Sequence, residues 1–423
     1  MSRLWTVLLV LLALAGRAEA SEPSAAFVRR ADQLVALLND RAAPDGFFSP
    51  AFLAQVPPAQ TRDVAAQLRA SFGAARRIAR IEARTPTGGT VFVAFERAVV
   101  RIQMALAPQP PHLVEGLLVV GAESSAADVP ALFGEIVGLP GEVSLAAARL
   151  EEAEPTDFLT QKAERPLAIG SAFKLFVLAE LVRQVKAGER RWSDVVPLGP
   201  PSLSSGLLQD WPRGAPITVH SLAALMISRS DNSATDTLIH LLGREKIEAL
   251  LPTLGVRAAD RNRPFLATRE AFALKLGDPA LLAQWKAADE TSRRALLPRL
   301  ANVAADTLDP ARLAGRPTEI GSVEWFASPA DLVRTLDWLR RSGDSTALDI
   351  LAINPGLGRT LADDFGYFGF KGGSEPGVLN MSFLLRNREG RWLAVVATWN
   401  NEAATLDEAR FAALMSRLVG SMK

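Results

Sequence analysis

Ser171-Ala172-Phe173-Lys174 is the only Ser-x-x-Lys in this 423-residue chain, and it opens onto Leu175 to Val182, a run that is apolar except for Glu180. A helix through that run sets Lys174 one turn beyond Ser171 and buries most of its surface. A serine hydroxyl attacks a carbonyl only when something takes its proton, and an amine shielded from water becomes a neutral base near neutral pH. Ser171 is therefore a candidate nucleophile and Lys174 its base. The N-terminal end of the same helix favours the negative charge that develops on a substrate oxygen.

Two further clusters have polar side chains suited to the same chemistry. Ser230-Asp231-Asn232 lies between the apolar stretch Leu222 to Ile227 and a helical run from Ala234 to Leu242, which predicts a turn between two helices. Taken alone, such a tripeptide caps a helix start. Lys371-Gly372-Gly373-Ser374 follows Gly366-Tyr367-Phe368-Gly369-Phe370 and precedes two strand-like runs, Leu379 to Arg386 and Arg391 to Trp399. Its glycines let a substrate backbone approach closely and Lys371 supplies positive charge; without a substrate the segment reads as a glycine-rich hairpin edge.

Composition narrows the chemistry. The chain has no cysteine, and its three histidines, His112, His220 and His240, show no metal-ligand spacing, so no metal or cofactor is expected. Formal net charge is +1, from 47 Lys and Arg against 46 Asp and Glu, which leaves no excess to hold a nucleic acid. With 48% hydrophobic and 22% charged residues the bulk of the chain folds as a globular protein.

The elements that position these residues form an α+β protein in two domains. Residues 1–20, with apolar Leu4 to Ala15 and the small-x-small Ala18-Glu19-Ala20, read as a cleaved export signal, too short to span a bilayer. The mature chain is thus expected to be periplasmic or secreted, without stable membrane insertion. Residues 21–125 form a small α+β domain. A helix starts at Phe27 and ends before Pro44-Asp45-Gly46, a second covers 61–72, and strands follow at Ile78 to Arg84, Thr90 to Phe95, Val99 to Leu106 and His112 to Val120. The element order resembles the cone-shaped ketosteroid-isomerase-like folds. A turn-rich linker is expected at 126–143, and 144–423 holds the three clusters.

The order Ser-x-x-Lys, Ser-Asp-Asn, Lys-Gly-Gly resembles the motif set of the class A β-lactamase and penicillin-binding protein superfamily. Gly206-Leu207-Leu208-Gln209, Ile217-Thr218-Val219, Leu222-Ala223-Ala224-Leu225-Met226 and Asp231 to Gly243 agree with the class A region around its Ser-Asp-Asn loop. The resemblance spans about 144–421. It implies an antiparallel sheet flanked by helices plus a helical subdomain, and an acyl-enzyme on Ser171. Lys174 would be the base, Ser230 a proton relay to the leaving nitrogen, Asn232 a donor to a substrate amide, and Lys371 an electrostatic partner of Ser230. Gly373 would adjoin the substrate, and the amides of Ser171 and Ser374 would form the oxyanion hole. Substrates implied are small-molecule β-lactams, esters or peptides.

Two departures stand out. Gly372 replaces the hydroxyl residue that binds a substrate carboxylate, a duty that Ser374 could assume in part. No Glu-x-x-Leu-x-Asn loop, whose glutamate activates the deacylating water, occurs between Ser230 and Lys371, and extra residues lie around 256–315. Glu319 and Glu324 come closest and are expected to be solvated surface charges. Together with the first domain, this combination resembles the β-lactamase-like proteins of clavulanic acid biosynthesis. The competing readings are a catalytically silent binding protein, favoured by these losses, and a peptidoglycan carboxypeptidase or transpeptidase.

Overall fold

A computed structural model of the chain describes residues 22–124, 129–151, 154–203, 205–304, 307–308 and 315–423, and the signal expected at 1–20 lies outside them. The chain divides into two units, with the boundary between residues 125 and 126.

In the first unit Ser24 caps the helix Ala25–Leu38 by accepting the Phe27 N–H at 3.1 Å. Phe27, Ala31, Leu34, Leu37 and Leu38 form the buried stripe of that helix, at the three-and-four spacing of an amphipathic face. Helices Pro50–Gln55 and Pro58–Phe72 follow. The four expected strands all form: β1 (Ala75–Thr85), β2 (Gly88–Phe95), β3 (Ala98–Leu106) and β4 (Val114–Ser124), an antiparallel meander in chain order. The last starts two residues later than the sequence predicts, because His112 adopts a positive φ of 54° that leaves the extended region. Along β3, Val100, Ile102 and Met104 point into the core at the two-residue period of a half-buried strand.

The expected linker over 126–143 is instead part of the second unit. Val129–Val137 is a helix, and its Leu132 and Ile136 are fully buried among residues of β5 (Glu142–Leu150) and of the C-terminal helix Glu408–Gly420. Apolar residues at three-and-four spacing decide this, and Gly138-Leu139-Pro140-Gly141 only terminates the helix. The structured unit therefore starts before residue 144.

The remaining strands are β6 (Pro155–Gln161), β7 (Leu167–Ala168), β8 (Val195–Pro197), β9 (Pro216–Thr218), β10 (Phe326–Ala327), β11 (Tyr367–Glu375), β12 (Val378–Arg386) and β13 (Trp392–Asn400). Four of them join β5 in an antiparallel sheet in the order β11-β12-β13-β5-β6. One face packs on the helices Val129–Val137 and Glu408–Gly420, through Phe383, Val395, Trp399 and Phe411. The other packs on the helix Lys174–Lys186, through Ala146, Leu384 and Val396. Helices Val219–Ser228, Asn232–Leu242 and Arg244–Leu250 build the helical part, and the extra stretch adds Thr268–Leu276, Pro279–Ala287 and Glu290–Ala301. β11 is the edge strand, so one rim of its backbone is open to a ligand. Among the described residues, no helix is long and apolar enough to cross a membrane.

Candidate active site

Three elements converge. Ser171 sits in a 3₁₀ turn, Gly170–Phe173, that leads into the helix Lys174–Lys186, and Lys174 and its followers through Val182 are buried. Phe173 anchors the turn by stacking on Trp325 at 3.8 Å between ring centroids, a contact worth about 0.5–1.5 kcal/mol beyond area burial. Behind it β7 pairs with β10, and Ile169 N donates to Trp325 O at 3.0 Å.

Ser230 forms the expected turn between two helices, with a φ of 56°. A non-glycine residue there is strained, by on the order of 1–3 kcal/mol, and must be held. Asp231 holds it: its carboxylate accepts the N–H groups of Leu207 at 2.6 Å, Leu208 at 2.9 Å and Ala234 at 2.8 Å, which both caps the next helix and fastens the Gly206–Leu208 loop. The capping role coexists with the placement of Ser230 beside Lys174 and Lys371.

β11 brings the third element. Lys371 and Gly373 share one face of the strand, and a Cβ on Gly373 would lie 2.2 Å from Ile169 O and 2.5 Å from Ser171 N. Only glycine allows that approach, and it sets the Ser171 turn against Ser374, whose N lies 3.3 Å from where a Cβ on Gly170 would sit. The two amides of the expected oxyanion hole are thus side by side.

The lysine amines meet at Ser230. Lys174 Nζ, fully buried, donates to Ser230 O at 2.6 Å and Asn232 Oδ1 at 2.7 Å, and lies 3.1 Å from Ser230 Oγ. Lys371 Nζ lies 3.1 Å from the same hydroxyl and also donates to Gly372 O. Burial, and then the neighbouring Lys371 cation, hold Lys174 well below the usual lysine range. Burial pushes Lys371 down to about 7. A neutral Lys174 has two N–H groups for the two carbonyl oxygens and a lone pair left to accept a proton.

Two placements differ from the sequence reading. The hydrogen bonds of Lys174 go to the Ser230 turn, with none to Ser171 Oγ. Asn232 Nδ2, expected to face a substrate amide, donates to Leu203 O at 3.0 Å, so Asn232 braces the loop as well as orienting Lys174.

Glu324 is not a solvated charge. With Lys275 and Glu375 it forms a buried triad in which Lys275 Nζ lies 2.7 Å from Glu324 Oε1 and 2.5 Å from Glu375 Oε1. Burial alone would lower the Lys275 pKa, but the two carboxylates hold it above the ordinary value. Burial, then Glu324, push Glu375 up to about 8. Glu319 is half-buried and ion-paired with Lys286 at 2.9 Å. The sequence offered no signal for the triad, since its members are 49 and 100 residues from Lys275. Lys275→Met leaves the buried Glu324 and Glu375 pair without its cation and is expected to cost about 3–5 kcal/mol of unfolding free energy, measured by urea titration. Lys275→Met with Glu324→Gln should recover part of that loss; full additivity would mean the ions are not coupled.

Solved structures with similarity to this chain include a β-lactamase from Sphaerobacter thermophilus, 21% identical over 70% of this chain and 95% of that one, with a TM-score of 0.48. A β-lactamase from Xanthomonas campestris is 18% identical over 70% of this chain and 97% of its own, with a TM-score of 0.47. The protein PBP-A is 14% identical over 70% and 94%, with a TM-score of 0.48. No curated protein matches the chain. Residues 131–419, most of the chain and all of the site just described, match the β-lactamase enzyme family, and the chain belongs to that family.

Proposed function

We propose that the protein is an exported serine hydrolase that opens a β-lactam, ester or peptide carbonyl through an acyl-enzyme on Ser171. The observation that carries this reading is Ser230 Oγ lying 3.1 Å from each of two fully buried amines, beside a serine whose amide adjoins a second one on β11. Substrate carbonyl oxygen sits between the Ser171 and Ser374 amides. Ser171 Oγ bonds to the carbonyl carbon while its proton passes to neutral Lys174. The bond to the leaving nitrogen or oxygen then breaks, and Ser230 relays the proton from Lys174 to it. Water cleaves the acyl ester and restores Ser171.

The first unit, helices followed by a meander, is read as a ketosteroid-isomerase-like cone, and the mature chain as periplasmic or secreted. The presence of Ser171, Lys174 and Ser230 together favours an enzyme over a silent binding protein; a peptidoglycan carboxypeptidase or transpeptidase would use the same residues.

The test is intact mass after incubation with penicillins, cephalosporins and activated esters. A covalent adduct that is absent in Ser171→Ala is the expected result. If no compound of these classes labels the wild-type protein, the binding-protein reading replaces this one.

A further inference from the structure

The rim of β11 beside the oxyanion amides determines what the rest of the substrate can carry. Phe370, Gly372 and Ser374 lie on the face opposite Lys371, and their partners across the ladder are Phe383, Met381 and Leu379, all apolar. A Cβ on Gly372 would come 2.7 Å from the Phe370 ring and 3.0 Å from Asn380 O, so no side chain, hydroxyl-bearing or otherwise, fits there while the ring stays. The ring is held from two further sides. It packs on Phe383 with centroids 4.9 Å apart, and a Cβ on Gly356 would come 2.5 Å from it. The loop carrying Gly356 reaches the Ser230 turn, since Asn354 Nδ2 donates to Ser228 O at 3.0 Å. Ile353 on that loop is exposed, and Leu357 and Met381 are half-buried.

Two cations near this rim are engaged. Lys371 donates to Ser230 Oγ and Gly372 O, and Arg359 Nη2 donates to Ile353 O at 2.8 Å. Arg229, beside Ser230 in the chain, is exposed. A carboxylate set against the phenyl ring would lose hydration, and the ring itself offers it no hydrogen bond in return.

We propose that the site takes carboxylic esters whose groups flanking the scissile carbonyl are uncharged and apolar, with Phe370 lining the subsite that a carboxylate would otherwise occupy. This rests on the acyl-enzyme reading above. The step balances without a co-reactant other than water: the Ser171 Oγ–carbon bond forms, the carbon–oxygen bond to the alcohol breaks, the Ser171 proton leaves on the alcohol, and water then releases the acid.

The experiment compares two aryl butyrates on the full chain, one with a carboxylate on the leaving ring and one with its methyl ester, each rate divided by the alkaline hydrolysis rate of the same compound. p-Nitrophenyl butyrate and p-nitrophenyl monosuccinate place the charge on the acyl side instead. The neutral member of at least one pair is expected to have a kcat/KM higher by about tenfold or more, since an unpaired buried charge is strongly disfavoured. Phe370→Ser should shrink that ratio, and Phe370→Leu, which keeps an apolar wall, should preserve it and serves as the folding control. Equal rates, or preference for the acid in both pairs, overturn the proposal; loss of an acid preference in Arg229→Ala would then identify the cation responsible. Turnover that persists in Ser171→Ala would instead sink the acyl-enzyme reading, a result distinct from a wrong substrate class.

Discussion

Lys174→Arg is expected to lower the rate of acylation by roughly 10²–10⁴-fold, the range associated with a positioned general base. The guanidinium keeps the positive charge and cannot give it up near neutral pH, so the variant separates charge from basicity. Lys174 is suited to basicity by its surroundings: it is fully buried, it is repelled by Lys371, and its two carbonyl-type partners, Ser230 O and Asn232 Oδ1, accept the two N–H groups of a neutral amine. The active form is the unprotonated one, so acylation should rise with pH through the depressed Lys174 pKa. Lys371→Met removes one cause of the depression and should move that rising limb to higher pH, while also slowing the reaction through the loss of its contact with Ser230 Oγ. Single-turnover formation of the adduct, followed by mass across a pH series, reads both effects. Near-normal acylation in Lys174→Arg would remove Lys174 from the proton path.

The three motifs were legible because each is local. Four residues of Ser-x-x-Lys define a helical turn, and an apolar run after them defines burial, which the structure bears out from Leu175 to Val182. The four strands of the first unit were likewise visible from alternation. What the sequence hid was cooperative. The helix Val129–Val137 is only nine residues long and sits against turn residues, so its membership in the second unit depends on burial of Leu132 and Ile136 against distant β5 and the C-terminal helix. Lys174 is oriented by residues 56 and 58 positions away, and its distance from Ser230 could not be read from one helical turn. Glu324 looked like any surface glutamate because its lysine partner is 49 residues away in the chain. The ring over Gly372 is the same kind of fact: a missing hydroxyl is readable, while the phenyl group that takes its place is a property of the folded strand.

Any β-lactam acyl-enzyme is expected to turn over slowly at neutral pH, with a burst of adduct followed by a much lower steady rate. A carboxylate assists deacylation only if it is free to polarise a water beside the acyl carbonyl, and those of Asp231, Asp236, Glu270, Glu324 and Glu319 are committed elsewhere. Asp231 accepts three backbone N–H groups, Asp236 accepts the N–H groups of Thr268 and Arg269 and the Thr268 hydroxyl, and Glu270 is paired with Arg244. Glu324 is buried on Lys275 and Glu319 is held by Lys286 and Ser322. Glu375 is one residue from Ser374, but a carboxyl raised to about 8 is mostly protonated at pH 7 and is then no base. Its ionised form appears only as pH rises through that value, so any contribution it makes should increase above it. Each tenfold in rate corresponds to about 1.4 kcal/mol of barrier, and loss of general-base assistance alone accounts for roughly 10²–10⁴-fold. Ester acyl groups without the bulky opened ring should deacylate faster than lactam ones, because water reaches a less hindered carbonyl. A stopped time course on one preparation compares burst and steady rate for each substrate. Rapid steady β-lactam hydrolysis without a burst would sink this expectation. Its persistence in Glu375→Gln would then direct attention to Glu324 or Glu319, either of which would have to leave its present lysine partner to reach the acyl carbonyl.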